Sequence, residues 1–280
     1  MILEAFVLAL LLLGCEEDVN PVLGTERAYS VYGTFNPLAD TQAVRVFLIE
    51  DILAPTRPEP IDARVTSMDL QEGVQHLWQD SLIQFESSRY GHVYWAAFRA
   101  AFEHTYRLTV TRSDGAASQV EVTVPPFSKP ELLAATVAQR FVFVPVLWHR
   151  APRLNRIRVH YHTNFRTIII DYPLDQVHVE AGAVVEIRLS DDARLIFEEA
   201  FIAGFPWRDL RLREIELRVL VTNEGWFPPT GVYNEDLLVE PGTFSNVENG
   251  FGFVGAGYPA SFRWLPPDSV LTAAGFAVGE

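Results

Sequence analysis

Residues 106–124 read YRLTVTRSDGAASQVEVTV. Tyr106, Leu108 and Val110 alternate with polar residues, as do Val120, Val122 and Val124, and Ser113-Asp114-Gly115 lies between the two runs. Side chains along a strand point to opposite faces with period two, so each run has one apolar and one polar face. Asp-Gly supplies the positive φ angles that a tight connection needs. The stretch predicts a β-hairpin with one face in a core. Runs of the same composition and spacing lie upstream at 28–35, 42–50, 62–70, 74–79, 82–87 and 91–98. About seven or eight strands in roughly 100 residues predict an immunoglobulin-like sandwich over 27–125. Pro55, Pro58 and Pro60 mark a loop, because proline cannot donate to a sheet ladder.

Downstream of the hairpin, Pro125-Pro126-Phe127-Ser128-Lys129-Pro130 places three prolines in six residues, which predicts a linker at 126–130. A second β-rich unit is expected over 131–280, with strands at 139–148, 154–163, 165–171, 183–189 and 213–221. Residues 190–202 (SDDARLIFEEAFI) fit a short helix with Ser190 as N-cap and Asp191 and Asp192 in its first turn, or a strand. A helical turn is expected after Pro267. The fold class is therefore mainly all-β, with at most one or two short helices.

The chain has 280 residues, 49% of them hydrophobic and 21% charged, which is enough apolar material to fold. Its formal net charge of -14 argues against nucleic acid, since phosphate would repel it. A single cysteine, Cys15, excludes intramolecular disulfides and cysteine-rich zinc sites. The apolar run from Ala5 to Leu13 makes only about 15 Å of helix, roughly half the hydrocarbon thickness, so it fits a signal-peptide core better than a span. Leu12-Leu13-Gly14-Cys15 resembles the lipobox of bacterial lipoproteins, in which the cysteine is acylated and becomes the mature N-terminus. On that reading 1–14 is a signal peptide, Cys15 the lipid attachment point, and 15–26 a tether. The basic residue usual before the apolar run is missing, and Glu4 stands there instead. Glu16-Glu17-Asp18 resembles the acidic surface-export signals of lipoproteins in Bacteroidetes-like bacteria.

From Gly242 to Gly257 the chain reads GTFSNVENGFGFVGAG. This resembles the closing motif of an uncharacterised lipoprotein family found mainly in Bacteroidetes-like bacteria, whose members carry a lipobox, an N-terminal immunoglobulin-like region and a Ser-Asn-Ile/Val-x-x-Gly-x-Gly segment near the C-terminus. The resemblance implies a lipid-anchored protein of the outer membrane, periplasmic or surface-exposed, often associated with transport systems. It implies no catalytic residues.

Gly250, Gly252 and Gly255 also match G-x-G-x-x-G, but that fingerprint needs a strand before it and a helix opening inside it. Asn246–Asn249 reads as a turn and Pro259 stands where the helix would run. A glycine-permitted turn or bulge, with Phe251 and Phe253 on one face of a strand, is expected instead. In RIRVHYH (156–162), Ile157, Val159 and Tyr161 would face a core, while Arg156, Arg158, His160 and His162 line the opposite face. No acidic residue occurs between Glu131 and Asp171. The row is a candidate site for an anionic ligand or an acidic partner surface, or else a face paired with carboxylates of a neighbouring strand such as Glu214 and Glu216. His160 and His162 would need a third ligand to hold a metal, and the other histidines show no zinc spacing, so no metal and no cofactor are expected. Neither a G-x-S-x-G elbow nor a P-loop occurs. Trp207, Trp226, Tyr258 and Trp264 lie among Pro and Gly and are candidates for an exposed aromatic platform.

These readings converge on a lipid-anchored bacterial envelope protein that binds rather than catalyses. Its partners would be the membrane, through the anchor, and an outer-membrane transporter or other envelope protein. The alternatives are an exported hydrolase whose site is assembled from distant histidines and carboxylates, and a structural envelope component.

Overall fold

The computed structural model describes residues 27–49, 59–85, 89–138, 141–173, 177–226 and 245–278. The segments expected as signal peptide and tether, Cys15 included, lie outside the described residues. Within them the chain is mostly β, with two helices and a sandwich-like build.

The first half holds β1 (Tyr29–Phe35), β2 (Gln42–Leu48), β3 (Arg64–Asp69), β4 (Gln75–Leu77), β5 (Gln79–Phe85), β6 (Arg89–Ala96), β7 (Thr105–Thr111) and β8 (Ala117–Thr123). Alternation sets what each strand buries: Tyr106, Leu108 and Val110 of β7 and Val120 and Val122 of β8 all lie in the core. The β7–β8 pair is the hairpin at 106–124, and Gly115 takes φ +91 in its turn. Strands run β1-β2-β6-β5 in one layer and β4-β3-β7-β8 in the other, the order of the immunoglobulin-like sandwich. Tyr106 adds a local mark of that architecture: near the start of β7, its hydroxyl accepts from the backbone N–H of Ala101 at 2.9 Å, pinning the crossover between layers.

The second half comprises β9 (Pro130–Leu132), β10 (Thr136–Ala138), β11 (Phe141–His149), β12 (Arg153–Thr163), β13 (Thr167–Asp171), β14 (Val177–Val179), β15 (Gly182–Arg188), α1 (Leu189–Ile202), β16 (Leu212–Thr222), β17 (Gly250–Trp264) and α2 (Asp268–Ala273). One sheet contains β10-β11-β15-β14, with β9 on β11; the other contains β13-β12-β16-β17. Of the two conformations open for 190–202, the chain takes the helix. Ser190 is not its cap: β15 runs directly into α1, Arg188 stands at the N-cap, and Ser190 Oγ accepts from the N–H of Val142 at 3.2 Å.

β17 joins the two halves. Gly250–Ala256 lies parallel to β1, and Gly257–Trp264 runs antiparallel to β16, so one eight-stranded sheet continues from β13 to β5. The G-x-G-x-x-G stretch is thus a strand. At Gly252, φ is +104 and a Cβ would stand 2.1 Å from the carbonyl oxygen of Val31, so only glycine lets β1 approach there. Val247, Val254 and Ala256 enter the first core, while Tyr258 enters the second. Glu248 exchanges both backbone hydrogen bonds with Gln119 of β8. Residues 247–256, which by position belong to the second unit of 131–280, therefore complete the first sandwich between β1 and β8. The linker is clamped to the same strand, since Tyr258 Oη donates to the Pro126 carbonyl at 3.0 Å and accepts from the Ser128 N–H at 2.7 Å.

Candidate functional site

The outer face of β12, β16 and β17 gathers the charged side chains that the sequence singled out. Ile157, Val159 and Tyr161 are core residues, whereas Arg158, His160 and His162 lie on the opposite face. Arg156 does not continue that row. The pairing with β16 skips between Asn155 and Arg158, and Arg156, at φ +47, lies in the resulting bulge with its side chain exposed.

Register supplies the neighbours. His160 faces Glu216, His162 faces Glu214 and Arg158 faces Arg218 across β16, while Arg263 of β17 faces Glu216. Glu216 is buried, yet it accepts from Arg218 Nη2 at 2.7 Å and from Arg263 Nε at 3.0 Å. The Arg218 hydrogen bond outweighs burial, and with Arg263 it pulls the Glu216 carboxyl down to about 2. Arg158 Nε donates to Asp171 at 2.6 Å. His162 Nδ1 lies 2.9 Å from Thr167 Oγ1, and its Nε2 lies 3.6 Å from Glu216 and 3.9 Å from Glu214. Burial, then the charge of Arg218, lowers the affinity of His160 for a proton. The row read as cationic is thus a balanced array, in which Arg158, Arg218 and Arg263 meet Asp171, Glu214 and Glu216. Among the described residues no group of three His, Cys, Asp or Glu is placed to hold a metal.

The four aromatic candidates do not form one platform. Tyr258 is 1% exposed, because strand alternation turns it inward beneath Phe102 and Phe127, so it is removed from the expected surface. Trp264 stacks on Phe262 at 5.2 Å and packs on the second core. Trp226 lies edge-on to Phe253, over the place that a Cβ at Gly255 would fill. Trp207 belongs to a short 3-10 turn, Trp207–Asp209, and its side chain lies outside the described residues.

Sequence reasoning missed a buried carboxyl on the other side of β12. Asp192 in α1 receives the hydroxyls of Tyr161 and Tyr172, both donating to Oδ2. Burial raises its pKa, and the two hydrogen bonds only partly oppose that shift. The signal was present in the spacing: Leu189, Asp192, Ala193, Ile196 and Ala200 all lie on the buried stripe of α1. Between the halves, a cleft of about 490 Å³ is lined by Glu103, Glu121 and Glu224 among prolines.

No family model matches the chain, and no curated protein matches it. Solved structures with some similarity include a pullulanase from Anoxybacillus sp. LM18-11, at 9% identity over 69% of this chain and 24% of that one, with a TM-score of 0.23. Another is the type I pullulanase of Bacillus subtilis str. 168 complexed with maltose, at 13% identity over 74% and 25%, with a TM-score of 0.24. Bovine butyrophilin is similar at 12% identity over 68% of this chain and 91% of that one, with a TM-score of 0.20. The chain spans about a quarter of the length of the two pullulanases. Overlays at these TM-scores carry no argument about activity.

Proposed function

We propose that the protein is a lipid-anchored component of the bacterial envelope, held at the outer membrane through Cys15, that acts by binding a protein of an uptake system. The observation that carries the binding part is the form of the charged site. Arg158, His160, His162, Glu214, Arg218 and Arg263 stand on one face of a continuous sheet, where alternating charges suit a complementary partner surface more than a small molecule enclosed on all sides. Charges at such a surface select and steer a partner while adding little to the stability of the free protein. The anchor part rests on the Leu-Leu-Gly-Cys segment and the apolar run before it.

Two measurements on the full chain test this. Cys15→Ser is expected to move the protein from the membrane fraction to the soluble fraction, and its retention in the membrane would defeat the anchor. Affinity capture from intact envelopes is expected to recover an outer-membrane transporter with the parent chain and to lose it with Arg158→Glu. Equal recovery with both chains would remove the charged face from the binding account.

A further inference from the structure

We propose that β13 is a dimerisation edge, along which a second copy of this chain adds its own β13 antiparallel and joins the two eight-stranded sheets. β13 ends its sheet, and among the described residues only β12 pairs with it. Free edges are normally blunted by short strands, lysine, proline or a bulge. β4, β9, β10 and β14 are each three residues long, and Glu248 bridges the edge of β8. β13 has no such guard. It reads Thr-Ile-Ile-Ile-Asp, and its ladder with β12 runs unbroken from Arg158–Asp171 to His162–Thr167.

The sequence of the edge identifies the occupant. Around a two-fold axis through Ile169, antiparallel pairing sets Ile169 against its copy, Ile168 against Ile170, and Thr167 of one copy against Asp171 of the other. Isoleucine then meets isoleucine throughout, and at both ends a threonine hydroxyl can donate to a carboxylate. β5 (QDSLIQF), the other long free edge among the described strands, lacks this symmetry. Centred on Leu82, it would set Ser81 against Ile83 and Gln79 against Phe85.

The surface around the edge fits the same axis. Ile169 lies on the outer face opposite His160 and is 55% exposed, whereas Ile168 and Ile170 pack on the second core and are only partly buried. α1 runs alongside β13: Asp192 bonds Tyr172 just past one end of the strand, and Arg166, just before the other end, pairs with Glu199. Leu195 falls between these two acids on the same stripe of α1 and is 44% exposed. It stands halfway along β13, so the two-fold that pairs the strands directs Leu195 towards its copy. Charge does not drive the contact. Beyond the Arg158–Asp171 and Arg166–Glu199 pairs, the exposed charges of β13 and α1 are Asp191, Arg194 and Glu198. Apolar burial and strand pairing carry the association, and added salt should not weaken it. The charged faces of the two copies then lie side by side, whatever they bind.

The test uses the full chain with Cys15→Ser, in which one introduced cysteine is the only thiol. Ile169→Cys lies on the axis and should form a disulfide-linked dimer under mild oxidation. Thr167→Cys would stand about 13 Å from its copy along the strands, and it should link at least about tenfold less. Without oxidant, sedimentation velocity should show a dimer whose Kd rises about tenfold or more with Ile169→Lys, at an unchanged circular dichroism spectrum. The apolar run at 5–13 is common to all these chains, so their differences report β13. No linking at 169, equal linking at 169 and 167, dissociation by salt, or association indifferent to Ile169→Lys would overturn the proposal. Stronger linking through Leu82→Cys would overturn it in favour of the β5 edge. These chains lack the anchor and keep Arg158, so the outcome is independent of both the Cys15 fractionation and the capture experiment.

Discussion

Asp192 and Glu216 lie on opposite sides of the same pair of strands, are almost equally buried at 5% and 2% exposure, and are shifted in opposite directions. On the core side Asp192 meets two neutral phenols, and burial wins, so its carboxyl holds a proton more tightly than it would in water. On the outer side Glu216 meets two guanidiniums, and charge wins, so its carboxyl lets the proton go at about 2. The two carboxyls differ in depth as well as in donors. Asp192 lies on the buried stripe of α1, whereas Glu216 lies on the outer face beneath half-exposed arginine heads. Weaker desolvation and cationic donors therefore lower the Glu216 pKa together. The geometry of the sheet makes the difference possible. Arginine on the outer face reaches a carboxylate while its own head remains in water, whereas on the inner face the head would have to be buried.

The largest effect should come from the core side. Asp192→Ala leaves the hydroxyls of Tyr161 and Tyr172 without their acceptor, which should cost roughly 2–4 kcal/mol and lower Tm by about 5–10 °C in thermal unfolding. A loss below about 1 kcal/mol would mean that water replaces the carboxyl, and the contrast with Glu216 would weaken. Asp192→Asn should be much milder, and its pH dependence carries the sign. A carboxyl whose folded pKa is raised contributes stability that is fully present below the unfolded value of about 3.9 and is lost as pH rises through the folded value. The asparagine variant should accordingly gain on the parent chain between pH 4 and neutrality.

The second effect is smaller and has the opposite slope. Arg218 and Arg263 are half exposed, so screening limits what Glu216→Gln removes to about 1 kcal/mol at neutral pH. A lowered folded pKa gives stability that is present above the unfolded value of about 4.3 and is lost as pH falls from there towards 2. Denaturant titrations of parent and variant should therefore converge in that window. Parallel curves would show that the two arginines do not hold the charge of Glu216.

Sequence reading reached this contrast unevenly. Period-two alternation places most of the longer strands of both halves but not the short β9, β10 and β14, and it sorts Ile157, Val159 and Tyr161 from Arg158, His160 and His162, because each strand has one face in a core. Glu214 and Glu216 were legible as partners for the same reason. The bulge at Arg156 was not, since it depends on the register with β16. β17 is legible only in part: Phe251 and Phe253 fit one face of a strand, but the glycines around them suggest a turn or bulge, whereas Gly250, Gly252, Gly255 and Gly257 all lie within one long strand and let neighbouring chain segments approach closely. Its contribution to two cores is encoded by no local pattern. Asp191 and Asp192 both stand in the first turn of α1, as expected, but only Asp191 is exposed, and the burial of Asp192 against Tyr161 and Tyr172 depends on how the helix packs on the sheet.

The smallest effect separates folding from binding on the outer face. Arg158 and Asp171 pair at 2.6 Å, but their side chains are 57% and 73% exposed, so solvent competes for both. Arg158→Ala should therefore change stability by no more than about 0.5 kcal/mol, a Tm shift of about 2 °C or less. A larger loss would make Arg158 part of the network that fixes Glu216, and the outer face would then be explained by folding. A negligible loss leaves the arginine of an exposed strand with no structural work beyond its pair with Asp171, and sharpens the case that its charge serves a partner. The progression from Asp192 through Glu216 to Arg158 then follows one variable, the access of water to the hydrogen-bonded groups.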